Sequence, residues 1–222
     1  MASITYTIPG VRLMNQLLEP SNPRDDCVFT SNACLVNAYT GSHYTGSQIK
    51  ALDSDYGAAY TGFASQAKLL DTLARLGVRF ARVSHPTQAE LTFELHRQIE
   101  HYHQAAIITM PSQWNSAPST VPGYNPRTYR SYSHVGLMCG AGPGMLRCMN
   151  PWGGFWQDQS DAWWQQRLLY GEIWVGVYRP VVSAPQAAPA PSQPQPAASS
   201  TTAAPTVASL QAKIAKALAD LS

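Results

Sequence analysis

Ser133-His-Val-Gly-Leu-Met-Cys-Gly-Ala-Gly-Pro-Gly-Met-Leu-Arg-Cys-Met-Asn-Pro-Trp-Gly153 holds two short apolar runs, 134–139 and 145–149, separated by a glycine-rich stretch at 140–144. Runs of this length, bounded by Gly and Pro, read as strands. Glycine tolerates the positive φ that tight turns demand, so the two strands are expected to close as a hairpin. His134 opens the first strand and Asn150 ends the second, which places them on neighbouring strands. The side-chain oxygen of Asn150 can then accept a hydrogen bond from the imidazole and fix its tautomer without adding charge. Taken alone, Asn150-Pro151 would more commonly be a simple turn former.

Upstream of the hairpin, helical spacing covers residues 30–39, 64–76 and 87–103, with Leu69, Leu70, Leu73 and Leu76 on one side of the second. Further strand signals fall at 78–83, 105–110 and 173–178. Helices first and antiparallel strands second describe an α+β fold. Cys27 stands where the irregular segment Glu19-Pro-Ser-Asn-Pro-Arg-Asp-Asp26 turns into the first helix. The positive end of the helix dipole and the free amides there favour a thiolate. Asp25 and Asp26 oppose it unless their carboxylates turn away. A lone cysteine in such a place is more often a small buried hydrophobe. The order Cys, His, Asn on a helix head and two adjacent strands is what favours a nucleophilic site.

The rest of the composition narrows the field. The 222 residues contain 15 Lys plus Arg and 13 Asp plus Glu, a net charge of +2 that gives no electrostatic case for a nucleic-acid partner. Four cysteines without Cys-x-x-Cys spacing fit neither a zinc site nor a disulfide scaffold, so reduced thiols are expected. His96, His101 and His103 lack metal-ligand spacing and read as a solvated helix end, so no metal and no cofactor are expected. The start, Met1 to Gly10, has neither a basic leader nor an apolar run, and no stretch is long and apolar enough for a membrane span. Synthesis in the cytoplasm without a signal peptide is the expectation. After Pro180 the sequence changes to an uncharged run rich in Ala, Pro, Gln, Ser and Thr. The expected division is a folded domain at 1–180, a Pro/Ala-rich linker at 181–208 and a short amphipathic helix at 209–222 carrying Leu210, Ile214, Leu218 and Leu221. So short a helix needs a partner, whether a second copy, the folded domain or the cell envelope; a frayed tail is the other reading.

These residues resemble the papain-fold cysteine peptidases related to bacteriocin-leader peptidases and phage lysin peptidase domains, over about 13–178 and by order of elements. The resemblance rests on Gln16, then Asn22-Pro23, then Cys27 followed by Thr30-Ser31 and an apolar helix, and on Ser133-His134 with Asn150-Pro151-Trp152-Gly153. Trp163, Trp164 and Trp174 are similar to the family's C-terminal part. The resemblance implies that Cys27 is the nucleophile, His134 the general base and Asn150 the orienting residue. It also implies an amide upstream of the cysteine as oxyanion donor, with Asn22 the first choice and Gln16 the second. Departures are Val28 after the cysteine and Asn150 in place of the commoner aspartate.

The expected substrate is a peptide, and a phage-type endolysin cleaving peptidoglycan peptides is the leading role, acting at the wall after release. The tail helix would then serve wall contact or self-association, and the lack of an attached transporter segment disfavours the leader-peptidase role. An intracellular processing peptidase and a non-catalytic wall- or peptide-binding module on the same fold are the alternatives. Trp152 and Trp114 are candidate substrate contacts. Tyr124, Tyr129 and Tyr132 join Trp114 in a long loop that either lines the cleft or merely covers the sheet.

Overall fold

Turn chemistry and capping set the element boundaries, and glycines set how closely the elements approach. The computed structural model describes residues 2–20, 26–52, 66–112, 124–128 and 133–179. In chain order these form β1 (Tyr6–Thr7), a 3-10 turn (Gln16–Leu18), α1 (Cys27–Thr40), α2 (Gly46–Leu52), α3 (Gln66–Arg75), β2 (Val78–Ser84) and α4 (Gln88–His96). A π-helical turn (Arg97–His101) extends α4, followed by β3 (Ala106–Pro111), β4 (Ser133–Gly142), β5 (Met145–Asn150), β6 (Phe155–Ser160), α5 (Asp161–Gln165) and β7 (Glu172–Tyr178). The linker and tail helix expected at 181–222 lie outside the described residues, as do Asn22, Trp114, Tyr129 and Tyr132.

The architecture is α+β, as expected. The strands pair in the order β2-β7-β3-β4-β5-β6, with every neighbour antiparallel. β1 pairs with Gly140 and Ala141 of β4, continuing the lane that β3 leaves where Ala106 pairs with Met138. The expected hairpin is present: β4 runs on to Gly142, leaving Pro143 and Gly144 as the turn, and Gly144 takes φ +67°. Proline followed by a residue at positive φ suits the central pair of a tight turn. Residues 155–160 were not expected as a strand, yet β6 pairs along the whole length of β5 from Met145 to Asn150.

α1 is the central helix. Every residue from Phe29 to Val36 is buried, so the helix is enclosed on nearly all sides rather than lying on a surface. On β7, Gly176 makes room for it: a Cβ there would fall 2.6 Å from Leu35 Cδ2. Tyr39 then donates its hydroxyl to the Gly176 carbonyl at 3.1 Å. α1 stops at Gly41, whose φ of +72° returns its N–H to the Asn37 carbonyl, the usual left-handed helix end.

α2, too short to have been read from periodicity, packs its N-terminus against the first turn of α1. Gly46 permits this, since a Cβ would lie 2.5 Å from Thr30 Oγ1 and 2.9 Å from Thr30 N. The carboxylate of Glu19 accepts from Gly46 N at 2.8 Å and Ser47 N at 2.9 Å, satisfying amides that the helix leaves open. α4 begins at the expected Thr87, where Thr87 and Glu90 form a reciprocal capping box. Trp164 of α5 is wholly buried and donates Nε1–H to the Leu146 carbonyl, fixing α5 on β5. Among the described residues no helix is long and apolar enough to cross a membrane.

One histidine departs from expectation. His96 is only 16% exposed and bonds Asp161 Oδ1 at 2.9 Å, tying α4 to α5, so it is not part of a solvated helix end. Its neighbours His101 and His103 are exposed, as expected. The reason is the π turn and the packing of α5 on α4, neither of which periodicity reveals.

Candidate active site

The hairpin register brings His134 and Asn150 together. Leu137 pairs with Met149 across β4 and β5, so Asn150 lies diagonally from His134 on one face of the sheet, within reach of a side-chain contact. Gly136 stands between them, and a Cβ there would lie 2.6 Å from Cys148 Sγ and 2.9 Å from Met110 Cε. His134 Nε2 and Asn150 Oδ1 are 2.9 Å apart. Both residues are buried, His134 at 4% exposure and Asn150 at 0%.

The protonation pattern follows from a backbone donor. Trp152 N–H can only donate, and it lies 3.0 Å from Asn150 Oδ1. The atom facing it is therefore the amide oxygen, and the same oxygen faces His134, so Nε2 carries the imidazole proton and Nδ1 is left as an acceptor. Asn150 Nδ2 points the other way and donates to Gln157 Oε1 at 2.9 Å. Burial pushes the His134 imidazole down to about 4, with the Asn150 bond pulling back up. At neutral pH the ring is uncharged, which is the state a general base needs.

Cys27 is the first residue of α1. One turn further along the same helix, Ser31 Oγ donates to the carbonyl of Val135, the residue after His134, at 3.3 Å. The head of α1 is thereby fixed to the strand segment that carries the imidazole. All four cysteines are free thiols, but Cys27 alone is partly exposed; Cys34, Cys139 and Cys148 are buried. Burial raises the Cys34 thiol to about 12 and carries Cys139 and Cys148 upward as well. Cys27 is thus the one partly exposed thiol, and it stands on a helix head, where the dipole and open amides favour a thiolate.

Asp26, adjacent to Cys27, does not cap α1 with its side chain. Its carboxylate is fully buried and bonds Lys50 Nζ of α2 at 2.8 Å. The negative charge that the sequence sets beside Cys27 is thus compensated by an ammonium, removing half of the objection raised by the two aspartates. Asp25 lies outside the described residues. Lys50 had no sequence signal, since a lone lysine on a short helix reads as solvent-facing.

Gln16, the second choice as oxyanion donor, is fully buried in the 3-10 turn and donates its backbone N–H to Pro151 O at 2.9 Å. That bond seats Gln16 beside the turn following Asn150. Asn22, the first choice, lies outside the described residues, as does the candidate contact Trp114. Trp152 and Phe155 stand 38% exposed beside Asn150. Tyr124 donates its hydroxyl to Gln166 O at 2.8 Å, docking the described part of the long loop onto the segment between α5 and β7. Among the described residues no group of three or more His, Cys, Asp or Glu is arranged to hold a metal ion.

The sequence matches no protein-family model and no curated protein. Among solved structures, the chain is similar to a C39-like peptidase from Bacillus anthracis at 12% identity, covering 81% of this chain and 98% of that one, with a TM-score of 0.54. It is also similar to the peptidase domain of Streptococcus ComA, a bi-functional ABC transporter involved in a quorum-sensing pathway, at 13% identity, covering 76% and 99%, with a TM-score of 0.50. At these identities the likeness is one of fold, and the chain has the papain-like fold of the C39-type cysteine peptidases.

Proposed function

We propose that the chain is a cysteine peptidase with Cys27 as nucleophile, His134 as general base and Asn150 as the orienting residue. The observation that carries this reading is the buried hydrogen bond between His134 Nε2 and Asn150 Oδ1, on the strand to which the head of α1 is bonded. A buried imidazole with its proton held on Nε2 leaves Nδ1 unprotonated and able to accept, and the partly exposed thiol of Cys27 lies at the helix end fixed to that strand.

In the first half-reaction the Cys27 thiol passes its proton to His134 Nδ1 while sulfur bonds to the peptide carbonyl carbon. The oxyanion is met by the open amides at the head of α1 and by an upstream side-chain amide, Asn22 or Gln16; the Gln16 backbone bond to Pro151 O, beside Asn150, is what supports Gln16. The imidazolium then protonates the departing amine as the C–N bond breaks, leaving a thioester. Water, deprotonated by the same nitrogen, attacks the thioester and releases the acid and the free thiol. The low proton affinity of the buried ring makes the imidazolium a strong acid for the amine-expelling step.

The substrate we propose is a peptide of peptidoglycan, cleaved in the manner of a phage endolysin, with Trp152 beside Asn150 as a contact surface. Supporting this are the Pro/Ala-rich run after Pro180 and the amphipathic stretch beyond it, which fit a tethered wall-contacting or self-associating element. A zymogram on purified walls, run beside Cys27→Ala with mass analysis of released fragments, tests it. New peptide termini from the native chain and none from Cys27→Ala are expected. Intact walls together with cleavage of leader-bearing proteins would move the substrate to protein processing; binding without cleavage would leave a non-catalytic module.

A further inference from the structure

A primary amide is nearly symmetric in shape, so an orienting asparagine works only if something decides which of its two ends meets the imidazole. Were the Asn150 amide turned over, Nδ2 would face His134 and require Nε2 as an acceptor. The ring proton would then sit on Nδ1, the atom that must be bare to receive the thiol proton. Trp152 N–H opposes that turn from one side. From the other side the only fully inward residue of β6, Gln157, meets Nδ2 with its oxygen at 2.9 Å. Gln157 is 4% exposed, on a strand whose other residues are exposed or half-exposed. A buried amide on an otherwise wet edge strand is an unusual choice for packing alone, since burying a polar group is unfavourable unless it is hydrogen-bonded.

The geometry points to Gln157 as a positioning residue that, through Asn150, holds the His134 proton on Nε2 and keeps Nδ1 available as the base. The inference rests on the peptidase reading above. It explains why the site tolerates an amide at 150: the Gln157 acceptor supplies the directionality that a carboxylate, with two equivalent oxygens, would not need.

The test uses the full-length chain and no substrate. Because Cys34, Cys139 and Cys148 are buried, iodoacetamide reports on Cys27, and its rate is followed against pH. The ring tautomer is read from two-bond ¹H–¹⁵N couplings of His134. The native ring is expected in the Nε2–H form. Gln157→Met should mix the tautomers and slow alkylation at neutral pH about tenfold, the scale of one buried hydrogen bond, whereas Gln157→Glu, which keeps an acceptor, should restore the native tautomer. In an Asn150→Asp background, which has no orientation to lose, Gln157→Met should change the rate less than about twofold on the same reasoning. An Nδ1–H tautomer in the native chain, superimposable profiles for native and Gln157→Met, or equal losses in both backgrounds overturns the inference. If Gln157→Met does not fold, the native tautomer and Gln157→Glu decide. His134→Ala separates the two levels of failure. Alkylation slowed by His134→Ala but unmoved by Gln157→Met ends only the role of Gln157, while alkylation indifferent to His134→Ala ends the peptidase reading.

Discussion

Acid should unfold this protein through His134, and by an amount that follows from the burial of the ring. The perturbation is the pair native chain and His134→Gln, the latter keeping an N–H donor for Asn150 Oδ1 but no titrating group. Burial lowers the folded-state imidazole from 6.5 to about 4, against a smaller upward pull from Asn150. The unfolded chain therefore binds a proton that the folded chain refuses between pH 6.5 and about 4, and stability falls as pH falls through that window. Above pH 6.5 both states are neutral at this site and the contribution is constant; below about 4 both are charged and the loss is complete. At 1.36 kcal/mol per pH unit, the full loss is about 3 kcal/mol, against a total stability on the order of 5–15 kcal/mol.

The assay is urea unfolding followed by tryptophan fluorescence at half-unit steps from pH 8 to pH 4. Subtracting the His134→Gln curve removes the carboxylates common to both chains. The native chain should lose about 3 kcal/mol relative to the variant, nearly all of it between pH 6.5 and 4. A flat difference would mean that the ring is solvated. A difference of opposite sign, with the native chain gaining on the variant as pH falls, would mean that the fold holds an imidazolium. The thiol of Cys27 would then rest as a thiolate paired with it, and the neutral-base first step would be wrong.

Lys50→Met removes the ammonium bonded to the buried Asp26 carboxylate and should cost about 3–5 kcal/mol. By calorimetry that is a fall in melting temperature of roughly 6–20 °C, from about 2–4 °C per kcal/mol. Asp26→Asn in the same chain should recover much of it, and a single variant within ~1 kcal/mol of native would show that the pair is not what neutralises Asp26. The same Lys50→Met chain should alkylate Cys27 more slowly at neutral pH, because an uncompensated neighbouring carboxylate raises the thiol. Gly46→Ala places a methyl group against the Thr30 backbone and should destabilise by about 1–3 kcal/mol in urea unfolding, with slowed Cys27 alkylation as the first turn of α1 shifts. Trp164→Ala empties a fully buried site holding α5 to β5 and should cost about 3–5 kcal/mol. A cost there under ~1 kcal/mol would mean that α5 is not part of the cooperative core.

What the sequence reveals and what it hides divide along a physical line. The β4–β5 hairpin was legible because apolar runs flank a glycine-rich turn, and once it was drawn the proximity of His134 and Asn150 followed from register. The residues supporting that pair were not legible, because each breaks the pattern that reading depends on. β6 runs Phe-Trp-Gln-Asp-Gln-Ser, and its one buried position holds an amide rather than a hydrophobe, so alternation fails at the point where Asn150 needs an acceptor. α2 spans seven residues, too few for helical periodicity, and buries the lysine that neutralises Asp26. Glu19, read as part of an irregular segment, caps that helix from 27 residues away in sequence. A functional site in this fold is thus announced by the residues that would do chemistry and concealed in those that hold them. Hydrophobic patterning identifies what is buried for its own sake, whereas Gln157, Lys50 and Glu19 are buried for the sake of a neighbour. Their partners become visible only when strand register and helix packing are known.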